Sequence, residues 1–197
     1  MDLLEQFSIF HFCMKYLKKI EIQKKIIVKK SIFIITTVLF ITFSGNVVAQ
    51  DTVVDVAVGN EDFSTLVTAL KAADLVGALS GDGPFTVFAP NNAAFAKIDS
   101  ETLNSLLEPE NVKALSNILT YHVVTGKLVA SDVVAALKKG NGSVELTALN
   151  GQVITVVQKD EKIWLKDSKG NYSEISATDV MGSNGVIHVI NSVVMPE

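Results

Sequence analysis

The chain has 197 residues, 17 lysines and arginines against 21 aspartates and glutamates, and a net charge of −4. Residues 50–197 alone hold 10 lysines, no arginine and 18 acidic residues, a net charge of −8. That balance excludes a phosphate-binding surface, which needs basic patches and bidentate arginines, and so it excludes nucleic acid as a partner.

The first quarter of the chain differs from the rest. Lys24, Lys25, Lys29 and Lys30 precede the uncharged run "SIFIITTVLFITF", Ser31 to Phe43, and Val47 and Ala49 are small residues spaced for a cut. This order is that of a secretory signal peptide over residues 1–49, with cleavage after Ala49. Met14 opens "MKYLKKIEIQKK", a more ordinary beginning for such a leader. The apolar run is shorter than the ~20 residues a membrane-spanning helix needs, so a membrane is met only indirectly or through an uncleaved leader. The single cysteine, Cys13, lies in this segment. Residues 50–197 are therefore expected to form one disulfide-free domain, a monomer, long enough to bury about 70% of its unfolded surface.

Within that domain, Phe63, Leu66, Val67 and Leu70 follow helical spacing, with Asn60 as N-cap before Glu61 and Asp62. "FTVFAP", Phe85 to Pro90, is a short strand stopped by proline. "NNAAFAKI" restarts a helix. "SETLNSLLEPENVKALSNILTYH" holds two more, with Ser100 as a cap and Pro109 near the second start. Two hairpins follow: "SVELTAL" with "QVITVV" around Asn150-Gly151, and "KIWLKD" with "YSEIS". "GVIHVINSVVMP", Gly185 to Pro196, reads as one long central strand. Helices early and strands late give an α+β fold class.

Catalytic and metal signals are weak. No G-x-S-x-G run exists, and "MGSNG" has the wrong spacing. His122 and His188 do not supply the three or four ligands of a zinc site, and "KDSKGN" lacks a calcium-loop ladder. No phosphate loop is present. The reading is therefore a non-enzyme without cofactors or metal. "NGS" at Asn141 and "NYS" at Asn171 match the N-glycosylation pattern in predicted turns.

"ILTYHVVTGK" sets Tyr121 beside His122 in an apolar run. Read as a strand, Leu119, Tyr121 and Val123 share one face, and His122 and Val124 the other. Both polar tips then need partners, because an unpaired buried group costs about 1–3 kcal/mol. The pair is read as a structural pin, with His188 likewise structural; a two-histidine metal site with His122 is the alternative.

Three stretches, "FTVFAPNNAAFAKI", "ILTYHVVTGKL" and "SNGVIHVINSVVMP", resemble in order and spacing the first box, the Tyr-His segment and the second box of fasciclin-type domains. The resemblance covers about Asp51 to Glu197. It implies a wedge of two β-sheets with helices packed around it, an extracellular setting, and adhesion rather than catalysis. In animal matrix members an Asp-Ile pair before the second box is implicated in integrin binding; Asp179-Val180 stands at that place, and Tyr121 and His122 match a second implicated region. Asn191 replaces the usual aspartate of "VIHVID". The leader and single-domain layout resemble bacterial members, so integrin itself is not the implied partner. The resemblance also suggests Asn91 or Asn92 of the first box as the partner of His122. Adhesion to a cell-surface or matrix protein or glycan, by a secreted or periplasmic protein, is the function implied. An envelope domain that binds a small ligand or polysaccharide is the alternative. Asp179 is expected to be exposed, and its loss to weaken adhesion without affecting stability.

Overall fold

The computed structural model describes residues 51–197. The leader, the start at Met14 and the cut after Ala49 lie outside the described residues.

The first helix, α1 (Val53–Val58), is opened by a capping box: the Thr52 hydroxyl accepts from the Asp55 N–H, and the Asp55 carboxylate accepts from the Thr52 N–H at 2.9 Å. These bonds hold the Asp55 carboxyl below its ordinary value. Asn60 caps a 3-10 turn, Glu61–Phe63, by accepting from the Asp62 N–H at 3.0 Å, and the turn runs into α2 (Ser64–Ala72). Phe63, Leu66, Val67 and Leu70, the residues in helical register, are all buried. A short α3 (Val76–Leu79) leads to β1 (Phe85–Pro90).

Helices α4 (Asn92–Phe95), α5 (Ser100–Leu106) and α6 (Val112–Tyr121) follow, with a proline-initiated 3-10 turn at Pro109–Asn111. The cap of α5 is Asp99, not Ser100: its carboxylate reaches the N–H groups of Glu101 and Thr102 at 3.1 and 3.2 Å. With a carboxylate one residue upstream, Ser100 becomes the first helical residue. After β2 (Val123–Thr125) comes α7 (Ala130–Lys139), a helix beyond the elements expected from the sequence. Val133 and Leu137 of α7 are buried, with Val134 and Ala136 partly buried beside them.

Strands β3 (Ser143–Thr147), β4 (Val153–Lys159), β5 (Lys162–Lys166), β6 (Tyr172–Gly182) and β7 (Gly185–Ile190) complete the chain. The final strand stops at Ile190 rather than Pro196. Beyond it, side chains replace the ladder: Asn191 Oδ1 accepts from the Glu174 N–H, and the Ser173 hydroxyl donates to the Ser192 carbonyl at 2.7 Å. In this role Asn191 uses only its side-chain carbonyl oxygen, which a carboxylate could equally supply.

The seven strands run in the order β2-β1-β7-β6-β5-β4-β3. Only β1 and β7 are parallel neighbours, with Phe85 opposite Gly185 and Pro90 opposite Ile190. The long β6 pairs with β5 through its first residues and with β7 through its later ones, and two register shifts bend it between. It is thus shared by two half-sheets. The far edges meet where the Leu149 N–H donates to the Val123 carbonyl at 2.7 Å, so the sheet is nearly closed.

The interior has two parts. Helices α1, α2 and α6 pack Phe63, Leu66, Leu70, Leu115 and Leu119 against Val123 and Ile187. Inside the curved sheet lie Phe88, Tyr121, Leu137, Ile154, Val156, Leu165 and Ile190. Strands β1 and β7 are buried on both faces, which explains their nearly unbroken apolar sequences. The architecture is α+β, with two half-sheets forming the wedge.

Candidate functional site

Tyr121 and His122 do not alternate across a strand. Tyr121 is the last residue of α6 and His122 is its C-cap; the strand begins at Val123. Both side chains follow helical geometry, which decides their partners. The Tyr121 hydroxyl crosses the sheet interior to donate to the Val153 carbonyl at 2.9 Å, and burial raises it above its ordinary value. His122 Nδ1 lies 2.8 Å from the Ile118 carbonyl, one helical turn back, so it carries the proton. Its Nε2 then accepts from the Val194 N–H at 3.2 Å. Burial pushes the imidazole down to about 4, and the bond to Ile118 opposes this only in part.

The partner expected for His122 is therefore corrected. Asn91 instead caps α4, accepting from the Ala94 N–H at 2.8 Å. Asn92 ties the first box to the start of α2, accepting from the Thr65 N–H at 3.1 Å and donating to the Glu61 carbonyl at 2.9 Å. His122 had backbone partners nearer to it, from its own helix and from the C-terminal segment.

His188 sits on β7 opposite Phe88, stacked at 5.7 Å between ring centroids. Its Nε2 lies 2.7 Å from the Leu128 carbonyl, and its Nδ1 accepts from the Asp179 N–H at 3.4 Å. Asp179 is half-buried, and its side chain is committed: Oδ1 accepts from the Ala130 N–H at 2.8 Å, at the first turn of α7. A carboxylate there offsets the positive end of the helix. Asp179 has φ of +60°, in the left-handed region that aspartate tolerates better than most residues. The expectation of a freely exposed Asp179 is thus overturned. Val180 pairs with Ile187 and packs partly buried against the helical core.

One further residue belongs to this constellation and carried no sequence signal. Thr86 is buried in β1; its hydroxyl donates to the Gly126 carbonyl at 2.6 Å and accepts from the Leu128 N–H at 2.9 Å. Thr86, His188 and Asp179 together tether the segment between β2 and α7. Among the described residues, no group of three or more His, Cys, Asp or Glu is placed to hold a metal ion.

The two glycosylation triplets also separate. Asn141 is exposed beyond the end of α7. The Asn171 amide donates to the Asp167 carboxylate at 3.0 Å, and Ser173 of the same triplet is fully buried. Asn171 is nonetheless exposed in the turn before β6, as the sequence suggested.

The fasciclin domain profile matches residues 61–196. The chain belongs to the fasciclin family. This fasciclin domain is 52% identical over 145 residues to protein sll1483 of Synechocystis, covering 74% of the chain and 73% of that protein. It is 37% identical to the transforming growth factor-beta-induced protein ig-h3 of Sus scrofa, over 74% of the chain but only 19% of the relative. The fold matches a FAS1 domain pair from the insect cell adhesion molecule fasciclin I with a TM-score of 0.65 at 20% identity, over 74% of the chain and 51% of that structure. Among the described residues of the fasciclin domain, no helix is long and apolar enough to cross a membrane.

Proposed function

We propose that this protein is a secreted or periplasmic adhesion module, which binds a cell-surface or matrix macromolecule without covalent chemistry. The observation that carries the reading is the fasciclin match over residues 61–196, in a fold shared with an insect cell adhesion molecule. The acidic, arginine-free domain supports a partner other than nucleic acid.

Tyr121 and His122 support adhesion indirectly. They are 0% and 3% exposed, so a partner cannot touch them in the folded state. Their bonds hold α6 and the C-terminal segment in place, and exposed residues make the contact. Asp179 and Val180 act in the same indirect way, through the start of α7 and the register of β6.

The test is attachment of beads coated with the purified protein to cell-envelope and matrix preparations. Saturable attachment, competed by free protein, is the expected result. Beads that attach no better than beads coated with an unrelated acidic protein would remove the adhesion reading.

A further inference from the structure

Strands β4, β5 and β6 present an outward face opposite the buried side chains of Ile154, Val156 and Leu165. Register places Thr155, Lys166 and Tyr172 side by side on that face, with Val157, Trp164 and Glu174 on the next rung. Tyr172 is 51% exposed, and Val153, earlier on the same face of β4, is 46% exposed. Trp164 is half-buried; its indole N–H is itself buried and has no acceptor among the described residues.

At one end the face opens into a cleft of about 610 Å³, a volume typical of ligand sites. Its walls include Val153, Thr155, Lys166, Ser168, Lys169 and Glu197. The walls are fixed from beneath. The buried Asp167 carboxylate accepts from the backbone N–H groups of Asn171 and Met195, at 2.7 and 3.2 Å, and so ties the turn after β5 to the C-terminal segment. Gln152 adds a second tie by accepting from the Glu197 N–H at 3.0 Å.

The lining selects a ligand class. Lys166 and Lys169 line the cleft together with Glu197, and the buried Asp167 carboxylate beneath it offsets the remaining positive charge, so the side chains leave no net charge to hold a phosphate or a polyanion. Apolar side chains are few, which disfavours a lipid or other greasy ligand. Ammonium, hydroxyl and carboxylate groups together offer both donors and acceptors, the pairing that a ring of neutral hydroxyls requires. The apolar face of such a ring needs a flat or aliphatic surface. Tyr172 supplies one beside Lys166, and Val153 another in the cleft wall. Trp164 lies diagonally across from Tyr172, about 7–8 Å away at the spacing of neighbouring strands. A chain of sugar units can then pass from the cleft over Tyr172 to Trp164.

We infer that the cleft beside β4 and β5, with the Tyr172 and Trp164 rungs of the adjoining sheet face, binds a neutral oligosaccharide segment of a polysaccharide. The inference rests on the adhesion reading only in making this polysaccharide the adhesion partner.

Trp164 is the only tryptophan in the chain, so its emission reports directly on this face. The full-length protein is titrated with cello-, xylo-, manno- and chito-oligosaccharides, and with alginate as a polyanion. A saturable change in Trp164 emission with at least one neutral oligosaccharide is expected, and it should be insensitive to salt. Tyr172→Ala and Lys169→Met should each weaken that binding about tenfold or more while leaving the melting temperature near wild type. The site is refuted if no neutral oligosaccharide saturates, if only alginate binds and salt abolishes it, or if both variants bind like wild type. Bead attachment separates this site from the adhesion reading. Beads that attach equally well with Tyr172→Ala, or lose attachment to protease but not to glycosidase treatment of the target, refute the polysaccharide as the adhesion partner and leave adhesion standing. Saccharide binding without bead attachment does the reverse.

Discussion

Acid should weaken this domain through one side chain, His122. In the folded protein its Nδ1–H is bonded to the Ile118 carbonyl and its Nε2 is the acceptor for the Val194 N–H. A second proton has no place: it would bury a charge and turn the acceptor for Val194 into a donor. The folded-state value is accordingly near 4, against an ordinary 6.5. Because the folded value is the lower one, the unfolded chain takes up the proton first as pH falls. The contribution of neutral His122 is therefore intact above pH 6.5, declines between 6.5 and about 4, and levels off below. At about 1.4 kcal/mol per pH unit, the interval from 6.5 to about 4 corresponds to about 3 kcal/mol. The assay is urea unfolding of the wild type and of His122→Ala at steps from pH 7 to pH 4. At pH 7 the variant should be less stable, because the Val194 N–H is left without its partner at a cost of about 1–3 kcal/mol or more. Going to pH 4, the gap between the two proteins should close by about 3 kcal/mol. A gap that stays constant over that range would refute the reasoning, as would an imidazole titrating near 6.5 in the folded protein by NMR.

Other expectations follow from single bonds. At Asp179, both the acceptor for Ala130 and the positive φ matter, so Asp179→Asn should cost least, and Asp179→Ala should lose about 1–3 kcal/mol in urea unfolding; equal stability of Asp179→Ala and wild type would restore a free, exposed Asp179. Tyr121→Phe keeps the ring and removes the bond to Val153, which should cost about 0.5–1.5 kcal/mol by the same measurement. Intact-mass analysis of exported protein should find an N-terminus at Gln50, within two residues, and a species retaining Lys30 would contradict cleavage.

The sequence disclosed the elements with strong local signals. Helical spacing marked Phe63, Leu66, Val67 and Leu70, and the apolar β1 and β7 segments were read as strands from composition alone. The signal failed where two local rules competed. At Tyr121-His122 an apolar run at a helix end looks like a strand, because a buried C-terminal turn followed at once by β2 has no polar break. Asp99 and Ser100 are both good caps, and the carboxylate took the position. Helix α7, by contrast, carries ordinary helix signals: Val133 and Leu137 lie at i and i+4, Asp132 is in its first turn, and Lys138 and Lys139 precede Gly140. The tethered segment between β2 and α7 was not legible for another reason. Thr86, Leu128, Asp179 and His188 come from three distant parts of the chain, and the pairings of β1 with β2 and β7, and of β6 with β7, bring them together. The saccharide face depends in the same way on strand register, which alternation suggests but pairing fixes.

The parallel pairing of β1 with β7 also governs timing. The N-terminal half of the chain contributes β1 and its helices early in synthesis, yet the central ladder needs the last strand before the tail. Such a contact closes a long loop and forms slowly. Until β7 emerges, Phe88 lacks its neighbour His188 and β1 lacks its parallel partner, so the sheet cannot close. The central ladder can therefore close only after residues 185–190 have been made.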